Sequence, residues 1–258
     1  MLSVLKIGGS VLRDGGSYAA AAGYLTRRIA DHPTERVVVI VSAQHGATDA
    51  LLEQAQAIAG SPAADALDLL WSTGELRSVA LLTLNLQARG VQAIPFNVHQ
   101  TGLLADHAAH VAVRPVRLLG ALASTRIVVV PGFLGVSAGG AVRSLGRGGS
   151  DLTAVLLAAA IGADSCELIK DVAGYHTADP NVKADAEPLR ELSTADALRM
   201  ADAGCDLVQR AALVAAAEAH LPLVVRSLDD RAPVSHVFTR SHHGVCDQDD
   251  SRRPAVGA

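Results

Sequence analysis

The chain has 258 residues, is 50% hydrophobic and only 3% aromatic, and carries a formal net charge of −4. That is enough apolar material for one large domain with a core of Ala, Leu and Val, and the charge balance gives no reason to expect nucleic acid or a membrane surface as partner. Cys166, Cys205 and Cys246 are odd in number and widely spaced, which fits a reducing cytoplasm better than a disulfide framework or a zinc site.

The first residues lack the basic and apolar regions of a signal peptide, so none is expected, and no apolar run is long enough to span a bilayer. Apolar, β-branched runs predict buried strands at 3–7, 36–42, 91–96, 126–131, 166–170 and 222–226. Helices are predicted at 18–30, 48–59, 63–89, 116–123, 150–161, 194–203 and 207–219. Alternation of the two predicts βαβ units and a mostly parallel sheet. Residues 133–147, rich in Gly and Ser, read as a hairpin over the site. No repeat or linker divides residues 1–240, and the polar residues 241–258 read as a poorly ordered tail.

Five stretches carry candidate chemistry. KIGGS, Lys6 to Ser10, ends the first strand. Gly8 and Gly9 let backbone approach a bound group and Lys6 can reach a phosphate, although the same residues also make a plain tight turn. SAQHGAT, Ser42 to Thr48, leaves the second strand at the edge where open α/β sheets bind ligands, and Thr48 also suits a helix cap. In TGELRS, Gly74 is costly inside a helix unless something needs the space, and Glu75 either binds an ammonium group or is a solvated helix residue. LGRGGSD, Leu145 to Asp151, is the most informative. Ser150 reads as an N-cap, with Asp151 in the first turn, and Gly148 and its neighbours free N–H groups to face an anion. A cap does not require Arg147, whose fork suits a carboxylate or phosphate. IKDVAGYHTADP, Ile169 to Pro180, leaves a strand into a loop in which Lys170, Asp171 or His176 can touch a nucleotide, or Asp171 and Asp179 simply form turns. Trp71 and Cys205 read as packing residues.

In this order the motifs resemble the amino-acid kinase family, and within it the aspartate kinase catalytic domain, from about residue 2 to 226, most specifically over 131–154. The resemblance implies a three-layer α/β/α sandwich with ATP and Mg²⁺ over the C-terminal part of the sheet and an amino acid over the N-terminal part. It implies that Lys6 stabilises the transferring phosphoryl group, that Gly8, Gly9 and Ser10 line the phosphates, and that Asp151 organises the lysine. Thr48 and Glu75 would contact the acceptor, Arg147, Gly148 and Ser150 would hold its α-carboxylate, and Asp171, Tyr175, His176 and Asp179 would lie at the nucleotide. A homodimer is implied as well.

The chain departs from that pattern at named positions. Ala141 to Ser144 replace a threonine run, Lys170 a threonine, His176 a tyrosine and Asn181 an arginine. Asp206 stands where the family has a nucleotide-contacting lysine, so Lys170 or Arg210 is expected to compensate. The C-terminal regulatory domains that many aspartate kinases carry are not expected here, nor is feedback inhibition by lysine or threonine through them. The leading expectation is ATP-dependent phosphorylation of L-aspartate to aspartyl-β-phosphate. A related kinase with a different small acceptor, or a binding homologue without turnover, are the alternatives.

Overall fold

The computed structural model describes residues 1–105, 111–146, 148–178, 182–183 and 185–238. The predicted tail, 241–258, lies outside the described residues. The chain begins with β1 (Leu2–Ile7), α1 (Gly15–Asp31), β2 (Arg36–Val41), α2 (Ala47–Ile58) and α3 (Ala64–Gln87). It continues through β3 (Ala93–Pro95), β4 (Leu103–Ala105), β5 (Val111–Val113), α4 (Val116–Ser124), β6 (Ile127–Pro131), β7 (Leu134–Val136) and β8 (Val142–Ser144). It closes with α5 (Gly149–Ile161), β9 (Ser165–Ile169), β10 (Glu191–Ser193), α6 (Thr194–Asp202), α7 (Arg210–Glu218), β11 (Leu223–Arg226) and β12 (Ser235–Phe238).

The main sheet has eight strands in the order β10-β12-β11-β9-β1-β2-β6-β3. β12 runs antiparallel to β11, and every other neighbouring pair is parallel. Continuous apolar strands follow from burial on both faces. Leu5, Ile7, Val37, Val39 and Val41 pack with Tyr18, Leu25, Val79 and Leu82 of α1 and α3. Their alternates Val4, Val38 and Ile40 pack with Leu118, Ala154, Leu157 and Leu213 of α4, α5 and α7. The result is the expected three-layer α/β/α sandwich with a mostly parallel sheet. A second sheet, β5-β4-β7-β8, contains the predicted hairpin as the antiparallel pair β7–β8.

All six predicted strands are present, the third shortened to Ala93–Pro95. The last predicted helix starts at Arg210 rather than 207, because Gly204 is left-handed (φ 97) and Gln209 is the extended N-cap residue. An ionic cluster, unforeseen in the sequence, ties α1 to the strands. The Arg28 guanidinium lies 2.8 Å from Glu35 Oε1 and 2.6 Å from Glu167 Oε1, and Ser3 Oγ donates to Glu35 at 2.6 Å. Glu35 is wholly buried.

Candidate functional site

In the sheet β1 lies between β2 and β9. The strand order reverses there, which in open α/β sheets puts a crevice at the carboxyl ends of the strands. The segments after β1, β2, β6 and β9 all emerge at that edge, and they carry most of the residues singled out in the sequence.

Parallel pairing sets Lys6 beside Leu168. Two residues further on, with a side-chain period of two, Lys170 faces the same side as Lys6, towards the start of α5. Lys6 Nζ lies 2.8 Å from Asp151 Oδ1 and Lys170 Nζ 2.8 Å from Asp151 Oδ2. The Gln209 backbone N–H adds a 3.3 Å hydrogen bond to Oδ2. Asp151 is 2% exposed. Burial alone would raise its pKa, but the two ammonium groups outweigh burial and hold it at about 2. Burial, then the charge of Lys6, lower Lys170 to about 8 against the opposing pull of Asp151. Two ammoniums on one carboxylate leave one positive charge over.

Close packing explains the glycine loop. A Cβ on Gly9 would come within 2.7 Å of the Ala43 carbonyl oxygen, so the loops after β1 and β2 touch through backbone. Ser10 Oγ donates to Asp171 Oδ1 at 2.9 Å, and Arg13 pairs with Asp171 Oδ2 at 3.3 Å. Asp171 therefore links the loops after β1 and β9 at the surface.

Two expected caps are corrected. α5 starts from Gly148 (φ 73) and α2 from Gly46 (φ 74), neither with a side-chain cap, which places Ser150 and Thr48 inside the first turns. A left-handed residue that starts a helix favours glycine over a capping hydroxyl. At Gly148 a Cβ would also overlap Gln209, the residue whose N–H reaches Asp151. Ser150 is buried against Gly132, where a Cβ would lie 2.7 Å from its own. The Thr48 carbonyl accepts from Trp71 Nε1 at 3.3 Å. Arg147 and Asp179 lie outside the described residues.

Glu75 points from α3 into the same crevice and is 3% exposed. Gly74 makes room for this, since a Cβ there would be 3.2 Å from Ala43 Cβ. Burial pushes the Glu75 carboxyl up to about 8, against backbone hydrogen bonds from Ala43 and Gly132 and the charge of Lys6. Its Oε2 is buried without a hydrogen-bond partner. Neighbouring Phe133 holds a left-handed φ of 67° and packs edge-on against Trp71, centroids 5.7 Å apart. Its N–H is bound by Thr153 Oγ1 at 3.1 Å. Sequence reasoning missed the Ala43 and Gly132 backbone and Gln209. The only signal for them was the glycine that ends each strand or opens each helix.

A cleft of about 450 Å³ opens beyond β9, lined by Gly174, Tyr175, His176, Cys205 and Asp206 among others. Tyr175 is buried in the core with its hydroxyl unpartnered, and His176 Nδ1 is 3.1 Å from the Gly174 carbonyl. Of the two cations expected to compensate for Asp206, Arg210 pairs with Asp202 at 2.7 Å on the surface. Lys170 turns away from the loop, inward to Asp151. Among the described residues no group of three or more His, Cys, Asp or Glu side chains is placed to hold a metal ion, and no helix is long and apolar enough to cross a membrane.

Residues 1–227 match the amino acid kinase family. An aspartate kinase of Stutzerimonas stutzeri (strain A1501) is 40% identical over 194 residues, 73% of this chain and 47% of that protein. An aspartokinase of Mycolicibacterium smegmatis is 38% identical over 228 residues, 84% of this chain and 54% of that protein. The chain thus spans about half the length of the curated relatives it matches. The crystal structure of aspartate kinase from Synechocystis superposes with a TM-score of 0.84 at 34% identity, covering 95% of this chain and 40% of that one. E. coli aspartokinase III in complex with aspartate and ADP gives 0.80 at 26% identity, covering 94% and 66%.

Proposed function

We propose, because this chain belongs to the amino acid kinase family, that it transfers the γ-phosphoryl group of ATP to the side-chain carboxylate of L-aspartate. The observation that carries this reading is the buried cluster of Lys6, Asp151 and Lys170 at the switch point of the sheet. The likeness to an aspartokinase solved with aspartate and ADP supports the choice of substrates.

The acceptor carboxylate oxygen attacks the γ-phosphorus in line. A new P–O bond forms, the bond from the γ-phosphorus to the β–γ bridging oxygen breaks, and its electron pair leaves with ADP. Catalysis here is positioning and charge compensation. Lys6 offsets the negative charge that gathers as two anions meet, and Asp151 fixes its direction. The backbone of Gly8 and Gly9, with Ser10, lines the phosphates. The nucleoside occupies the cleft beside Tyr175 and His176, with Asp171 at its edge. Mg²⁺ would arrive as part of the MgATP substrate and would offset phosphate charge beside Gly8, Gly9 and Ser10. Glu75 receives the acceptor ammonium on its free Oε2, with Thr48 beside it, and Arg147, Gly148 and Ser150 hold the α-carboxylate. Residues 1–240 form one catalytic domain in this reading, working as a cytoplasmic homodimer.

One observation favours a second acceptor. Arg143, on the hairpin over the site, has a buried Nε without a partner and lies 4.0 Å from Asp68 of α3. A small acid other than aspartate would use that donor.

The test is ADP release from MgATP with L-aspartate, with hydroxylamine present to trap an acyl phosphate. Aspartate-dependent ADP with matching hydroxamate is the expected result. Nucleotide binding without hydroxamate from aspartate would move the reading to another acceptor, and a panel of small acids would find it.

A further inference from the structure

A neutral arrangement at this site needs one lysine, because Asp151 offers one negative charge. Lys6 alone would complete the pair. Burying a second ammonium beside them is costly unless an anion joins, yet Lys170 is nearly as buried as Lys6, with 11% and 8% of their side chains exposed. The neighbours do not supply that anion. Asp171 is at the surface, already engaged by Ser10 and Arg13. Glu75, near enough to feel Lys6, is held towards its neutral form by burial. From the 204–210 segment come a backbone N–H and the exposed Asp206, but no ammonium. The surplus positive charge therefore lies between the Glu75 crevice and the cleft at residues 174–207. A multiply charged anion spanning those two regions would meet it there.

We propose that Lys170 is a second phosphoryl-contacting residue, its ammonium joining that of Lys6 around the terminal phosphoryl group of a nucleoside triphosphate while Asp151 holds the two in place. The proposal rests on the kinase reading for the identity of the anion. It makes Lys170 the group that tells a triphosphate from a diphosphate: ADP reaches the cleft and the glycine loop but has no phosphoryl group between the two lysines.

The experiment measures binding of Mg·AMP-PNP and Mg·ADP by calorimetry to the wild-type chain, K170M and K170R. K170M is expected to weaken AMP-PNP by roughly 10- to 100-fold, the size of one charged hydrogen bond, and to leave ADP within about twofold. K170R, which keeps the charge, is expected to retain most of the discrimination. Equal losses for both nucleotides, or no loss for AMP-PNP, would overturn the assignment and leave Lys170 a structural partner of Asp151. A measurement on the wild type guards against variants that do not fold. Acylation of Lys170, followed by mass spectrometry, should be slowed by AMP-PNP and not by ADP, and equal protection by both would also sink the proposal. If the wild type discriminates through Lys170 but forms no hydroxamate with any acceptor, the kinase reading fails while this assignment stands. If turnover is normal and K170M leaves kcat and KM for ATP unchanged, the reverse holds.

Discussion

Glu75 and Asp151 are both buried carboxyl groups near Lys6, and their surroundings drive them apart. Two ammoniums keep Asp151 ionised, at about 2, whereas burial lifts Glu75 to about 8. Such a split marks different roles for two acids in one site. An ammonium arriving at Glu75 favours the carboxylate, so the bound form has the lower pKa and binding releases a proton. Acceptor affinity should therefore rise as pH increases from 6.5 through about 8 and then level off. Glu75→Gln should flatten that profile and raise KM for the acceptor by roughly 10-fold or more, as read from KM at a series of pH values. In the empty protein the folded pKa lies above the unfolded value, so Glu75 takes stability away as pH rises between the two. Lys6 and Glu75 stood out in the sequence, a lysine near the end of an apolar strand and an acid next to Gly74, whereas Asp151 read as a first-turn helix residue whose link to Lys6 only the resemblance implied. The Lys170–Asp151 contact was not legible. The two are 19 residues apart, and only the pairing of β9 with β1 turns Lys170 inward.

Elements long enough to show a period were legible too. β1, β2, β6 and β9 are runs buried on both faces, and α1 buries an apolar face that includes Ala21, Ala22, Leu25 and Ile29, whereas the buried face of α3 includes Asp68, Ser72, Glu75 and Ser78. β4, β5, β10 and β12, of three or four residues each, are too short for any pattern and exist through their partners. Helix starts went wrong for a different reason. Capping hydroxyls were available at Thr48 and Ser150, but the chain turns two residues earlier in each case, on the left-handed Gly46 and Gly148. The two glycines differ in surroundings: a Cβ on Gly46 meets open space, whereas one on Gly148 meets Gln209. Gly46→Ala should cost only the left-handed conformation, about 1–2 kcal/mol. Gly148→Ala should cost more and also pull Gln209 from Asp151. Urea unfolding of the two variants checks the order, and equal losses would remove the role assigned to Gln209 packing.

Across the whole molecule, the ionic cluster of Arg28, Glu35 and Glu167 binds α1 to β1 through Ser3, to β9 through Glu167 and to the residue before β2, Glu35. It was not legible, because charged residues beside strand starts read as solvated. Burial raises the Glu35 pKa, but the Arg28 and Ser3 hydrogen bonds outweigh it and the net shift is downward. Glu35 therefore adds stability above the unfolded carboxylate value, and this is lost as pH falls through the lower folded one. Glu35→Ala should cost about 1–3 kcal/mol at neutral pH, because Ser3 Oγ and part of the Arg28 fork lose their acceptor while Glu167 still holds Arg28, and the loss should shrink towards acid, as denaturant titrations at pH 7 and pH 3 would read. The outer strands of the main sheet, β3 and β10, are three residues each. One ends in Pro95, which has no N–H to offer, and the other opens with exposed Glu191. Short, proline-stopped and charged margins are poor templates for a foreign strand. The fold thus guards its own borders against fibril growth, and copies can crowd together without zipping edge to edge.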